Sequence, residues 1–295
     1  MRQFASRAVL VCLALSGATC SQPSRPTSVA PAAATPDSTA PGTRPASATL
    51  VRAIDGDSFV VMLADGERHE VRLIGLNAPE SDECHGNEAR GALAEWLSDE
   101  PLRLDAGAGA DRDGFGRLLR FASTEEGDAA TALIAGGHAT TLQSEHPRNA
   151  EYASLTDAAW SERRGMWAID ACGPATGATV DIPRWDVDPP GDDTGSDADE
   201  WVAIRNTGST AVALAGWTLR DESSQHRYRF GDLRLDPDEE MVIHSRCGDD
   251  GGPDLYWCAG AVWNNGGDTV IVQDASGNVV ARRRYGSDVP GGRDG

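Results

Sequence analysis

From Thr49 to Leu76 the chain is built to turn back on itself twice. Three β-rich runs, Thr49 to Ile54, Phe59 to Leu63 and His69 to Leu76, are separated by Asp55-Gly56-Asp57 and Ala64-Asp65-Gly66. Glycine-containing breaks between short apolar runs are hairpin signals. Beyond them, Asn87 is placed to cap a helix whose Ala89, Leu93, Trp96 and Leu97 fall on one buried face. Strands are predicted at Leu102 to Asp105 and Gly116 to Ala122, and helices at Asp128 to Ala135 and Asn149 to Arg164. Five strands in meander order with three interspersed helices predict an α+β OB-fold barrel.

Charge narrows the functions open to such a barrel. The chain has 295 residues, a formal charge of −20 and no lysine, so all 26 basic residues are arginines. A protein of this charge repels a polyanion at long range, and any phosphate binding has to be local. Neither half hides a basic domain: residues 49–175 carry 11 arginines against 23 acids, and residues 176–295 carry 11 against 22. The length suggests two domains, and 40% hydrophobic residues is ordinary for a folded protein.

Residues 1–20 have a charged start, a short apolar run and small residues at Ser16-Gly17-Ala18, and they read as an export signal. Two readings of Cys20 stand. It is the lipidated residue of a lipoprotein-type signal that anchors the chain to a membrane, or cleavage after Ala18 releases the chain without a lipid. Residues 21–48, rich in Pro, Ala, Ser and Thr, have the composition of a disordered tether. With Cys12 removed alongside the signal, Cys84, Cys172, Cys247 and Cys258 form an even set suited to disulfides in an oxidising compartment. An extracellular or cell-surface location is expected.

The segments Ile54-Asp55-Gly56-Asp57-Ser58, Val71 to Glu80 and Asp113-Gly114-Phe115-Gly116-Arg117, in this order and spacing, resemble the staphylococcal nuclease-like (thermonuclease) family over about residues 49–172. Glu83 to Ala89 and Arg164-Gly165-Met166-Trp167 extend the similarity. The resemblance implies a nuclease that hydrolyses phosphodiester bonds of DNA, with RNA a second candidate. It implies Ca2+ held by Asp57, Asn77 and the backbone carbonyl of Ala78, hard oxygen donors of the kind calcium favours. Glu80 would orient or activate the attacking water, and Arg72 and Arg117 would grip the phosphate. Asn77 departs from the aspartate common at that position and leaves the metal one carboxylate fewer. Thr140 to Pro147 lacks the tyrosines of well-known members, which removes base stacking worth about 1–3 kcal/mol per base. Cys84 and Cys172 could staple the two ends of this domain.

After a linker at 173–178 the chain changes to short β-like runs at Glu200 to Ile204, Ala211 to Leu219, Arg227 to Phe230, Glu240 to His244, Thr269 to Gln273 and Val279 to Tyr285. Turn residues space them as in a sandwich. Glu200 to Asn206, Leu214-Ala215-Gly216-Trp217 to Asp221 and Trp263 to Asp268 resemble the lamin tail domain, which implies an all-β immunoglobulin-like sandwich over 176–290, ahead of a tail at 291–295. Cys247 and Cys258 would pair locally within it, and Trp217 would be core. The acids from Asp186 to Glu200, with Asp192, Asp193 and Asp197 among them, read as a solvated run. No catalytic constellation stands out in this half, which has no assigned ligand and is expected to bind or anchor. The competing reading is a catalytically weak or inactive surface protein that binds nucleic acid or a protein through the barrel and uses the sandwich for adhesion.

Overall fold

The computed structural model describes residues 46–98, 101–189, 199–223 and 225–286. The export segment with Cys20, residues 21–45 of the expected tether and the acids Asp192, Asp193 and Asp197 lie outside the described residues, whereas residues 46–48, read from sequence as the end of the tether, begin the first strand by pairing with residues 102–104.

The first half is a closed barrel. β1 (Ala46–Ala53), β2 (Ser58–Leu63) and β3 (Arg68–Leu73) form two successive hairpins, β4 (Leu76–Asn77) is a short extension, and α1 (Gly86–Trp96) follows. Then come β5 (Leu102–Ala106), β6 (Leu118–Thr124), β7 (Gly127–Asp128), α2 (Ala129–Ala135), β8 (Thr140–Thr141), α3 (Asn149–Ser161) and a 3-10 turn at Gly165–Trp167. The strand order is β3-β2-β1-β5-β6, and a parallel pairing of β3 with β6 closes the ring. This is not the plain meander that the sequence suggests, because β1 lies between β2 and β5. Period-two alternation drives closure: Phe59 and Val61 of β2, Val71 and Leu73 of β3, and Leu102 and Leu104 of β5 all point into one core. Ala89 and Leu93 of α1 and Leu133 and Ile134 of α2 cover it.

Two local expectations change. The run His69 to Leu76 breaks after Leu73, because Gly75 takes a positive φ of 82° and releases Leu76–Asn77 to pair with Thr140–Thr141. Asn87 does not cap α1. That position falls to His85, in left-handed geometry and with no side-chain cap, and the helix begins at Gly86. Glycine is required there because a Cβ would lie 1.9 Å from the Glu80 carbonyl oxygen. The loop carrying Glu80 is thus folded tightly against the helix start.

The second half is a two-sheet β structure. One sheet runs β10 (Trp185–Asp186), β11 (Trp201–Asn206), β16 (Glu240–His244), β17 (Asp254–Tyr256), with β9 (Val180–Asp181) also on β11. The other runs β14 (Arg227–Arg229), β13 (Thr218–Arg220), β18 (Gly267–Gln273), β19 (Val279–Gly286), and a separate pair joins β12 (Val212–Ala213) to β15 (Arg234–Leu235). Val202, Ile204, Trp217, Leu219, Val270 and Val272 meet between the sheets, so Trp217 is core as expected. The predicted strand Ala211 to Leu219 is cut by a turn in which Gly216 has φ 80° and the Trp217 N–H donates to the Leu214 carbonyl at 2.9 Å. No helix among the described residues is long and apolar enough to cross a membrane.

Both expected disulfides are present, Cys84–Cys172 and Cys247–Cys258. The halves are packed into one compact unit. Ala159 and Trp167 of the barrel bury against Ile271 and Val279 of the sandwich, with Trp160 and Met166 beside them. Asp157 on α3 accepts from Arg282 and from Arg284, each at 2.7 Å. The Cys172 N–H donates to Asn278 Oδ1 at 2.8 Å, which seats a sandwich turn on the barrel's own staple. Trp167 is wholly buried in this seam. Trp167→Ala is expected to cost about 3–5 kcal/mol, read as a lower urea midpoint.

Candidate functional site

The site is assembled at the tip of the β1–β2 hairpin. Asp55 locks that turn, its Oδ1 accepting the N–H groups of Asp57 at 2.9 Å and Ser58 at 2.7 Å. Gly56 lets the tip press inward, since a Cβ there would lie 2.6 Å from the Cβ atoms of both Ala78 and Ala89. Asp57 is thereby carried against the segment after β4, where the Ala78 N–H donates to its Oδ2 at 2.8 Å.

Arg72, opposite Ser58 in the β2–β3 register, gathers the next groups. Its Nη1 lies 3.0 Å from Asp57 Oδ2 and its Nη2 donates to Asn77 Oδ1 at 3.1 Å. The same Nη1 donates to the Leu76 carbonyl at 2.9 Å, so the guanidinium is held on several sides. Ser58 Oγ donates to Asp57 Oδ1 at 2.9 Å and accepts from Arg117 Nη1 at 3.2 Å. Arg117 Nε donates to Asp113 Oδ2 at 2.6 Å, while Asp113 Oδ1 accepts the N–H groups of Phe115 and Arg117. One chain of hydrogen bonds and an ion pair therefore runs Asn77, Arg72, Asp57, Ser58, Arg117, Asp113. Arg117 Nη2 has no hydrogen bond to a described residue.

Of the residues singled out from sequence, Asp57, Arg72, Asn77, Ala78 and Arg117 come together. Glu80 does not join this chain. It is exposed, its N–H donates to Glu83 Oε2 at 3.1 Å, and it lines a cleft beside Asn77 and Ala78. Ser58, Asp55 and Asp113, to which sequence reasoning gave no role, hold these side chains in place through their hydrogen bonds. Phe115 was missed as well: it is 87% exposed, with the Arg117 guanidinium 5.3 Å from its ring centre. An apolar residue between two glycines in Asp113-Gly114-Phe115-Gly116-Arg117 was the available signal. Thr140 and Thr141 are buried in β8 and offer no stacking surface.

Burial dominates the electrostatics at Asp57. Desolvation pushes its carboxyl up from 3.8 to about 6, with Arg72 pulling down and Asp55 adding to the rise. At Asp113 burial also opposes charge, but hydrogen bonds from the Arg117 side chain and backbone and from Phe115 hold it below the ordinary carboxylate value. Among the described residues no group of three or more His, Cys, Asp or Glu side chains is arranged to hold a metal ion. The Asp57–Asn77–Ala78 set has a single carboxylate and is of a different kind. Its donors are hard oxygens, and the Asp57 and Asn77 oxygens already converge on one cation, the Arg72 guanidinium. That chemistry fits calcium.

A closed five-stranded barrel with three helices is an OB-type fold, and here it carries a carboxylate–arginine chain at its hairpin tip. The comparisons make the class specific: residues 70–169 match the model of the family described as staphylococcal nuclease homologue, and residues 173–287 match that of the lamin tail domain. The chain thus carries a staphylococcal nuclease homologue domain followed by a lamin tail domain. Asp57 and Ser58 lie ahead of the matched residues, on the hairpin that completes the barrel. No curated protein sequence matches the chain.

Because the folded-state pKa of Asp57 is raised above its unfolded value, its proton favours the fold below about pH 4, and that stabilisation is lost as pH rises through about 6. In metal-free protein, urea unfolding of the parent and of Asp57→Asn from pH 4 to 7 is expected to show the parent losing ground to the variant as pH rises. A pH-independent difference would mean that Asp57 titrates normally.

Proposed function

We propose that the barrel is a calcium-dependent nuclease that hydrolyses phosphodiester bonds of single-stranded DNA, with RNA as a second substrate. The observation that carries this reading is the linked pair Arg72 and Arg117, joined through Asp57 and Ser58. Two guanidiniums fixed at one place suit a phosphate whose charge grows as water adds to phosphorus. Both are restrained before substrate arrives, so little reorganisation is required on binding. Arg117 keeps Nη2 for the phosphate, and exposed Phe115 beside it offers a face for a base.

Glu80 stands in solvent past Asn77, where its carboxylate can take the proton of the attacking water while the new P–O bond forms and the opposite P–O bond breaks. Asp57, Asn77 and the Ala78 carbonyl would hold calcium, which supplies Lewis-acid charge next to the phosphate. Arg72 orients both side chains of that set and offsets part of the burial that raises the Asp57 carboxyl.

The export signal and the four paired cysteines support work outside the cell, in an oxidising compartment. We propose either release after Ala18 or a lipid anchor at Cys20, with residues 21–48 as a spacer.

Labelled single-stranded DNA incubated with the full chain is expected to be cut with calcium and spared with chelator. Glu80→Gln and Arg117→Ala should each slow cutting by about 10²- to 10³-fold. A variant within twofold of the parent removes that residue from the mechanism, and full activity in chelator removes the metal. Asn77→Asp adds a second carboxylate to the donor set, and it is expected to lower the calcium dissociation constant measured by calorimetry. An unchanged constant would take Asn77 out of the metal site.

A further inference from the structure

A cleft of about 590 Å³ opens where the barrel meets the sandwich, and the barrel site alone does not account for it. One wall is the segment Asn77, Ala78 and Glu80. The facing wall is the β13–β14 hairpin, which contributes Arg220, Arg227 and Arg229. Period-two geometry puts Arg227 and Arg229 on one face of β14.

Two of these three arginines are already committed. Arg227 pairs with Glu83 Oε1, and buried Arg220 lies 3.7 Å from Glu83 Oε2 while donating to the Asp221 and Ser223 carbonyls. Glu83 in turn accepts the Glu80 N–H, so the sandwich holds the loop on which Glu80 sits. Burial lowers the pKa of Arg220, Glu83 works against this, and Glu80 is among the further charges that raise it, which puts the Glu80 carboxylate within electrostatic reach of the opposite wall. Arg229 is different. It is exposed, lines the cleft, and makes no hydrogen bond or ion pair with any described residue. Of the acids that line the cleft, Glu80, Asp82 and Glu83 lie on the barrel side, and buried Asp274 on the sandwich side is taken up by donors of its own turn, the Ser276 and Asn278 N–H groups and the Asn278 side chain. In a chain of charge −20, an uncommitted arginine across from them is a local place for an anion.

We propose that this cleft is an extended subsite for the nucleic-acid backbone, in which Arg229 of the lamin tail domain holds a phosphate of the same strand that the barrel cuts. The proposal rests on the nuclease reading of the barrel and adds the second domain to its substrate path. Short substrates that end before the cleft do not reach Arg229, and longer ones do. The tail domain thereby favours longer strands.

The test uses the full chain with thymidine oligonucleotides of two and ten residues. Cleavage rates are measured with calcium, and binding by fluorescence anisotropy in the Glu80→Gln background over a salt series. Arg229→Ala is expected to raise KM for the decamer about tenfold, as loss of one charge-assisted contact does, and to leave the dinucleotide unchanged. It should also flatten the slope of log affinity against log salt for the decamer by about 0.7, the value for one phosphate contact on a single strand. Arg229→Lys keeps the slope. Arg205→Ala, on the far sheet and paired with Asp238, is the charge-matched control and should change neither quantity. An unchanged decamer slope in Arg229→Ala, an equal effect on both lengths, or a parent that does not bind the decamer overturns the subsite. A parent that binds but never cuts overturns the nuclease reading instead, and the salt slope still decides the subsite.

Discussion

The structure turns on one buried carboxylate. Asp57 is carried into the protein by a glycine-tipped hairpin, and burial alone would push it toward the neutral form. Arg72, the Ser58 hydroxyl and the Ala78 N–H all meet it and offset part of that push. Removing one partner of such a buried pair typically costs about 3–5 kcal/mol, because the other is left uncompensated. The same contacts that satisfy Asp57 fix Arg72 and, through Ser58, Arg117. Fold stability and site geometry are therefore set by the same few bonds.

The seam between the two halves extends this economy to the loop that carries Glu80. Glu83 takes Arg220 and Arg227 from the sandwich and the Glu80 N–H from its own loop. Gly86 brings the helix start within contact of the Glu80 carbonyl, and the Cys84–Cys172 disulfide ties the loop's far end to the residues that precede the sandwich. A loop carrying a proposed general base is thus held by backbone contact, by a covalent bond and by the second domain. The tail domain accordingly contacts the loop that carries Glu80.

What the sequence made legible was whatever local chemistry decides. Glycine breaks at Gly56 and Gly66 marked the hairpins, β-rich runs beside them marked β2 and β3, and the even cysteine set marked these cysteines as suited to disulfides. The proposed site residues were legible only through the resemblance of three short segments to the staphylococcal nuclease-like family. Tertiary contacts were not. Ser58 looks like any strand serine until Arg117, far along the chain, donates to it. Asn87 is a good cap by type, yet the close approach of Gly86 to Glu80 starts the helix two residues earlier and gives the cap to His85. Arg227 and Glu83 are separated by a whole domain, and no periodicity links them. Short strands such as β9 and β17 exist only because β11 and β16 offer them an edge.

The central claim, that Arg72 and Arg117 act as one unit wired through Asp57 and Ser58, is tested most directly by a double-mutant cycle on the rate of single-stranded DNA cleavage with Ser58→Ala and Arg117→Ala. If Ser58 works by orienting Arg117, Ser58→Ala slows the parent and changes nothing further once Arg117 is gone. Equal slowing in both backgrounds, additive to within about 0.3–0.5 kcal/mol, would contradict the account.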